Sequence, residues 1–217
     1  MKAILFLFFL ISINYLPAQD YRLGFFEGLG LSNIRTPQWP AGYPQTISYN
    51  PILSTSLNAY IGFKGAGKLG AFIEPGIVIK GGLLKNDIPN GTTNVKTSLT
   101  YIQLPLSLQY SINDKFFISA GPEADLLLRA RVKEGFSSHD ASIYFENALE
   151  LSGQMALNYS ITEKIDIGFR YGRGFSIVRN VTIVDENYNP VGNVNAYNQY
   201  FHFLIRIKSD TRYSIEK

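Results

Sequence analysis

The chain contains no cysteine. Disulfides, thiolate metal sites and a lipid carried on an N-terminal cysteine are all excluded by that. Histidine is almost as scarce, with only His139 and His202 in 217 residues, and their separation offers no metal-ligand or relay spacing. Beyond the N-terminal segment no run approaches 18 consecutive apolar residues, so no later stretch reads as a membrane-spanning helix. Charge of one sign is also lacking. Lys and Arg number 20 against 17 Asp and Glu, a formal charge of +3, too slight an excess to suggest nucleic acid or another polyanion as partner.

What is plentiful points elsewhere. Aromatics make up 14% of the chain, and there are 19 glycines, a balance that suits a β-barrel better than a helical domain. At the N-terminus Met1-Lys2 precedes an apolar run from Ala3 to Ile13, and Leu16-Pro17-Ala18 follows before Gln19. That order reads as a secretory signal peptide over 1–18, leaving 19–217 as one exported domain. Without a spanning helix, an exported chain crosses a membrane only as a closed barrel, in which every backbone polar group is paired between strands.

The strand pattern fits that option. YIQLPLSLQY, residues 101 to 110, places Ile102, Leu104, Leu106, Leu108 and Tyr110 on one face and Gln103, Ser107 and Gln109 on the other. Eight alternating segments are expected, near 21–32, 52–64, 69–80, 99–112, 115–128, 148–161, 164–178 and 198–208. Their connections alternate between short turns, such as Asn113-Asp114-Lys115, and long loops over 33–51, 81–98, 129–147 and 179–197. Short periplasmic turns and long external loops are the mark of an outer-membrane barrel. The fold class expected is all-β, an eight-stranded antiparallel up-and-down transmembrane β-barrel. A soluble ligand-binding barrel would show the same alternation with inside and outside exchanged. Tyr21, Phe63, Tyr101, Tyr110, Phe116, Phe117, Tyr159 and Phe201 recur near strand ends, as interfacial girdles do. On this reading the apolar faces meet outer-membrane lipid.

The polar faces then line a narrow lumen shared by Glu74, Lys80, Glu123, Asp125, Glu150, Arg170 and Arg206, with Arg22, Asp166 and Lys208 beside them. Eight strands leave room only for side chains, so this cluster is read as a structural plug of paired charges, with an ion or proton path as the alternative. Three irregularities stand out. Glu27 shares the apolar face of Leu23, Phe25, Leu29 and Leu31, where a bulge is expected to turn it away. Arg173 falls on the lipid side by parity, and Pro75, Pro105 and Pro122 interrupt strands, where local bulges are expected.

Two near-motifs fail on inspection. GFKGAGKL (62–69) has Leu69 where a phosphate loop needs a hydroxyl, and no helix pattern follows, so it reads as a hairpin turn. DENYNPVGN (185–193) spaces Asp185, Asn187 and Asn189 like a calcium loop, but Pro190 stands where glycine is needed. Neither a cofactor, a metal nor an enzymatic site is expected. The aromatic loop residues Trp39, Tyr43, Tyr49, Phe136, Tyr144, Phe145, Tyr188 and Tyr197 either offer a contact surface for a protein partner or fold over the barrel mouth.

The strand pair around that turn carries a further signal. Tyr101, Leu104, Pro105 and Leu106, followed by Ala120, Gly121 and Pro122, resemble the signature of the PorT-like outer-membrane β-barrel family of the Bacteroidetes. Glu74-Pro75-Gly76 and the Lys80-Gly81-Gly82 exit are similar too. The resemblance implies an eight-stranded outer-membrane barrel, usually without an assigned activity. Its name-giving member supports type IX secretion, a role that the shared fold does not transfer. In place of a terminal aromatic, residues 209–217 read as a polar tail. The functional expectation is a small outer-membrane barrel with a structural, adhesive or accessory role. The alternatives are an accessory of a type IX-like secretion system, a lipid-active enzyme and the soluble ligand-binding barrel.

Overall fold

A computed structural model of the chain describes residues 21–36, 47–64, 67–88, 91–145, 148–184 and 190–213. The expected signal segment, Trp39, Tyr43, Tyr188 and the calcium-like 185–189 stretch lie outside the described residues. Within them run twelve strands and one short 3-10 turn. In order these are β1 (Tyr21–Arg35), β2 (Ile47–Asn50), β3 (Ile52–Lys64), β4 (Leu69–Ile73), β5 (Gly76–Ile88), β6 (Gly91–Ser111), β7 (Phe116–Glu134), β8 (Ser137–Asp140), β9 (Leu149–Ser160), β10 (Ile165–Gly174), β11 (Arg179–Val184) and β12 (Pro190–Tyr213).

The strands close into a ring of 8, with β4 and β5 acting as one interrupted member. Closure is made by β12 against β1, in register from Phe25 opposite Ile207 to Arg35 opposite Tyr197. Neighbours in the ring pair antiparallel throughout. The up-and-down barrel expected from alternation is the observed fold, and it leaves no free edge in the ring.

Which way the faces point separates the two barrel types. Along β6, Tyr101, Gln103, Pro105 and Ser107 are buried while Ile102, Leu104 and Leu108 are exposed, Leu108 to 72%. The same holds around the ring, where Phe25, Leu57, Met155, Phe169, Phe203 and Ile207 stand outward. The buried charges, among them Glu74, Lys80, Glu123, Arg170 and Arg206, point inward instead, together with aromatic and small residues. A soluble barrel is ruled out by that inversion, since such an apolar belt would be bare to water.

The external connections differ from expectation. The long loops placed over 81–98 and 179–197 are largely paired strand: β5 continues to Ile88 opposite Gly91 of β6, and β11 pairs with β12 from Arg179 to Val184. Hydrophobic alternation ends where the lipid ends, because a strand needs only about 9–11 residues to cross. Backbone pairing continues past that point in Thr- and Val-containing segments such as 92–97, which favour strands without burying a face. The described part of the expected polar tail, 209–213, is strand, with Tyr213 opposite Tyr21.

The prolines behave unequally. Pro75 does break its strand, separating β4 from β5, and its carbonyl still accepts from the Ala59 amide at 2.9 Å. No register shift occurs at Pro105 or Pro122: Pro105 pairs with Glu123 and Leu108 with Ala120, a constant register. Pro122 points outward, where its missing donor interrupts the ladder without adding a residue.

Candidate functional site: the charged lumen

Inward parity brings all seven expected charges, Glu74, Lys80, Glu123, Asp125, Glu150, Arg170 and Arg206, into the barrel, each at most 3% exposed. They form two groups. In the first, Lys80 of β5 donates to Glu123 Oε1 and Asp125 Oδ2 of β7, both at 2.7 Å. Rings of Tyr200 and Tyr101 stand 4.7 and 5.6 Å from its ammonium. The Tyr200 hydroxyl also donates to Glu123. Glu150 lies opposite Asp125 and accepts from Asn198 Nδ2 at 2.7 Å. One ammonium thus meets two of three neighbouring carboxylates, and Asp125 Oδ1, Glu150 Oε1 and Asn198 Oδ1 have no hydrogen-bond partner among the described residues.

The second group is nearer balance. Glu74, at the strand break, accepts from Arg206 Nη2 through Oε1 at 2.7 Å and from Arg170 through Oε2. Arg206 reaches Asp166 at 3.4 Å, and Lys208 pairs with the same carboxylate at 2.8 Å. Around the Arg206 guanidinium stand Tyr60 at 4.7 Å, Phe72 at 5.0 Å, and Phe26 and Phe117 at 5.9 Å. This aromatic cage was missed in the sequence, although inward parity of Phe26, Phe72 and Phe117 was there to be counted. Phe117 and Tyr101, expected in the interfacial girdles, are buried inside instead. Both lie one residue out of step with the lipid-facing series, so nearness to a strand end misplaced them. Phe116 and Tyr110 are exposed as expected.

His202 is a lumen residue, bonded at 2.7 Å to the Ser54 hydroxyl, while His139 lies far off in β8. Among the described residues no cluster of three or more acidic or histidine ligands is set to hold a metal. At the external end the lumen is closed by an apolar cluster of Val78, Leu99, Tyr101, Ala130, Ala141, Phe145 and Val178. The loop aromatics therefore divide: Phe145 folds over the mouth, whereas Tyr144 and the hairpin-tip Phe136 (108% exposed) stand clear. At the opposite end a cavity of about 230 Å³, lined by Arg22, Tyr60, Gln109, Phe117, Asp166 and Lys208 among others, opens between the short turns. Arg22 sits at that mouth and donates to the Glu163 carbonyl at 3.3 Å.

Two charges stay on the lipid side. Arg173 is exposed one residue from the end of β10, at the belt's rim. Glu27 is exposed between Leu57 of β3 and Ile205 of β12. The expected bulge exists, between Arg22 and Gly24, but it lies before Glu27 and leaves the carboxylate outward. Two apolar residues precede and follow Glu27 on its face, which puts it near mid-belt. Glu27→Leu is therefore expected to stabilise the folded barrel in phosphatidylcholine vesicles by about 1–2 kcal/mol in a urea titration.

A family model described as an outer membrane protein beta-barrel domain matches residues 18–179, most of the chain. The chain belongs to that family. Its place is accordingly the cell outer membrane, and its surroundings are membrane lipid. No curated protein sequence matches it. Among solved structures it is similar to Neisserial surface protein A at 14% identity and a TM-score of 0.48, covering 86% of this chain and 97% of that one. Ail of Yersinia pestis is similar at 10% identity and TM-score 0.41, with 86% and 98% covered. For OprG of Pseudomonas aeruginosa the values are 13%, 0.41, 89% and 96%. At these identities and TM-scores no shared role follows.

Proposed function

We propose that this outer-membrane barrel is plugged, and that its lumen charges are structural while its external hairpins do the work, in a structural, adhesive or accessory role. The observation that carries this is the filling of the lumen. The seven buried charges are bonded to neighbouring side chains, and the apolar cluster of Leu99, Ala141, Phe145 and Val178 closes the external mouth. An ion path would need a continuous wet route, and the buried rings of Phe26, Phe72, Tyr101 and Tyr200 stand in the lumen beside the charges. A non-enzymatic role is supported by the separation of His139 from His202 and by the engagement of the lumen carboxylates with basic and amide partners. Phe136, Ile143 and Tyr144, all exposed, supply apolar area for a protein partner.

The expected outcome in a planar bilayer is no steady conductance above background from the heat-modifiable, folded protein. A stable ohmic channel would overturn the plug. Finer membership, in the PorT-like group, rests on Tyr101, Leu104, Pro105 and Leu106 with Ala120, Gly121 and Pro122. It carries the accessory-of-secretion reading with it, tested by whether deletion blocks export of other proteins. The signal peptide over 1–18 is part of the same proposal, and N-terminal sequencing of the mature protein should begin at Gln19.

A further inference from the structure

The modest formal charge of +3 conceals a segregation of cations at one place. Along β7 the outward apolar series ends at Leu126 and Leu128, and Arg129, Arg131 and Lys133 follow at alternate positions, all exposed. Lys96 of β6 lies directly opposite Lys133, and Arg129 opposite Thr100. Lys85 of β5 adds an exposed cation opposite Asn94 on the neighbouring strand.

These side chains face outward because of one backbone feature. Glu123 and Asp125 show that odd positions of β7 point into the lumen. Between Thr100 and Tyr101 the register with β6 shifts by one, and Leu128 is the extra residue. Beyond it the parity is reversed: Ala130 is buried and Arg129, Arg131 and Lys133 turn out. A bulge re-aims side chains in this way. Without it three more cations would enter a lumen already filled.

Like charges directly opposite one another weaken a strand pair unless something anionic lies between them. The protein supplies little. Asp140 lies opposite Arg131 and 3.6 Å from the Arg129 Nε. Hydrogen bonds from Ser142, helped by Arg129 and Arg131, hold its carboxyl below the usual range, and with Glu134 at the alternate parity of β7 it leaves the five cations in excess. Lys96 and Lys133 have no ion-pair partner among the described residues.

We propose that the outward face of β5, β6 and β7 just beyond the lipid belt binds the phosphate groups of lipid headgroups in the outer leaflet. Position argues for lipid over other anions. Arg129 is the first residue past Leu128, where hydrocarbon gives way to the polar headgroup layer. Arginine guanidinium matches phosphate oxygens with paired donors, and Lys96 and Lys133 add point charge farther out.

The test uses the full mature protein in detergent, titrated with phosphatidic acid or with phosphatidylcholine of the same acyl chains, and bound lipid counted by native mass spectrometry. The parent is expected to retain phosphatidic acid in preference. Arg129→Gln/Arg131→Gln/Lys133→Gln should weaken that retention at least about tenfold, since each basic residue near a membrane surface adds to anionic-lipid attraction. Lys68→Gln/Lys115→Gln, which removes cations at the opposite end of the barrel, should leave it unchanged. Each variant is first shown to keep its heat-modifiable mobility. Equal retention by the triple variant, or no preference over phosphatidylcholine, overturns the proposal. Displacement by inorganic phosphate at concentrations comparable to the lipid would instead make it a free-anion site, which also overturns it.

Discussion

Replacing Lys80 by methionine is expected to destabilise the folded barrel by about 3–5 kcal/mol, because it leaves carboxylates buried without their cation. Lys80 is 0% exposed and bonds Glu123 and Asp125 at 2.7 Å each. Methionine is close in length and apolar, so lost packing contributes little and the effect reports charge. Glu150, which accepts from Asn198 Nδ2, completes an acidic group in which no other cation forms an ion pair among the described residues. A urea titration of folding into phosphatidylcholine vesicles, read by heat-modifiable mobility, measures it. Asp125→Asn is expected to cost far less, under about 1 kcal/mol, since Lys80 keeps Glu123 and the carboxylate excess falls. Equal stability of the Lys80 variant and the parent would mean that water, rather than the lumen, solvates these acids.

The second large effect belongs to Glu74. Its carboxylate joins Arg170 and Arg206 from two different strands. Glu74→Ala removes both contacts together. Arg206 retains Asp166 at 3.4 Å, but Arg170 has no other carboxylate partner among the described residues. A cost of about 3–5 kcal/mol is expected in the same titration. Adding Arg170→Met should recover about 1 kcal/mol or more, because charges in one network do not act independently. Additive losses in the double variant would show instead that Arg170 is stabilised by something other than Glu74, such as the Phe26 ring 4.8 Å away.

Both predictions begin with a parity that could be counted in the chain. Lys80, Glu123, Asp125, Glu150, Arg170 and Arg206 alternate with apolar neighbours, so their common face was legible before any contact was known. Phe26, Phe72 and Phe117 were equally countable, yet aromatic character suggested lipid and obscured their place around Arg206. Glu27 shows the reverse error. Its charge suggested a bulge to hide it, whereas the register from Gly24 onward keeps it on the lipid face.

Other features had no sequence signal of comparable strength. The bulge at Leu128 turns Arg129, Arg131 and Lys133 outward, and a one-residue slip is invisible where Leu126, Leu128, Ala130 and Val132 keep an unbroken apolar period through it. The extension of β5 and β6 beyond the lipid was hidden because the apolar alternation of the belt does not continue through 81–88 and 91–98. Pro105 and Pro122 were expected to disturb register and do not, since losing one ladder donor does not require an added residue.

By itself the sequence determined a membrane barrel of eight strands with a charged interior, because lipid outside and side chains inside impose opposite demands on alternate residues. Which charge meets which was decided only by the tertiary structure. Glu74 and Arg206 are 132 residues apart along the chain, and only ring closure, through the pairing of β12 with β1, brings such positions across a lumen narrow enough for them to touch.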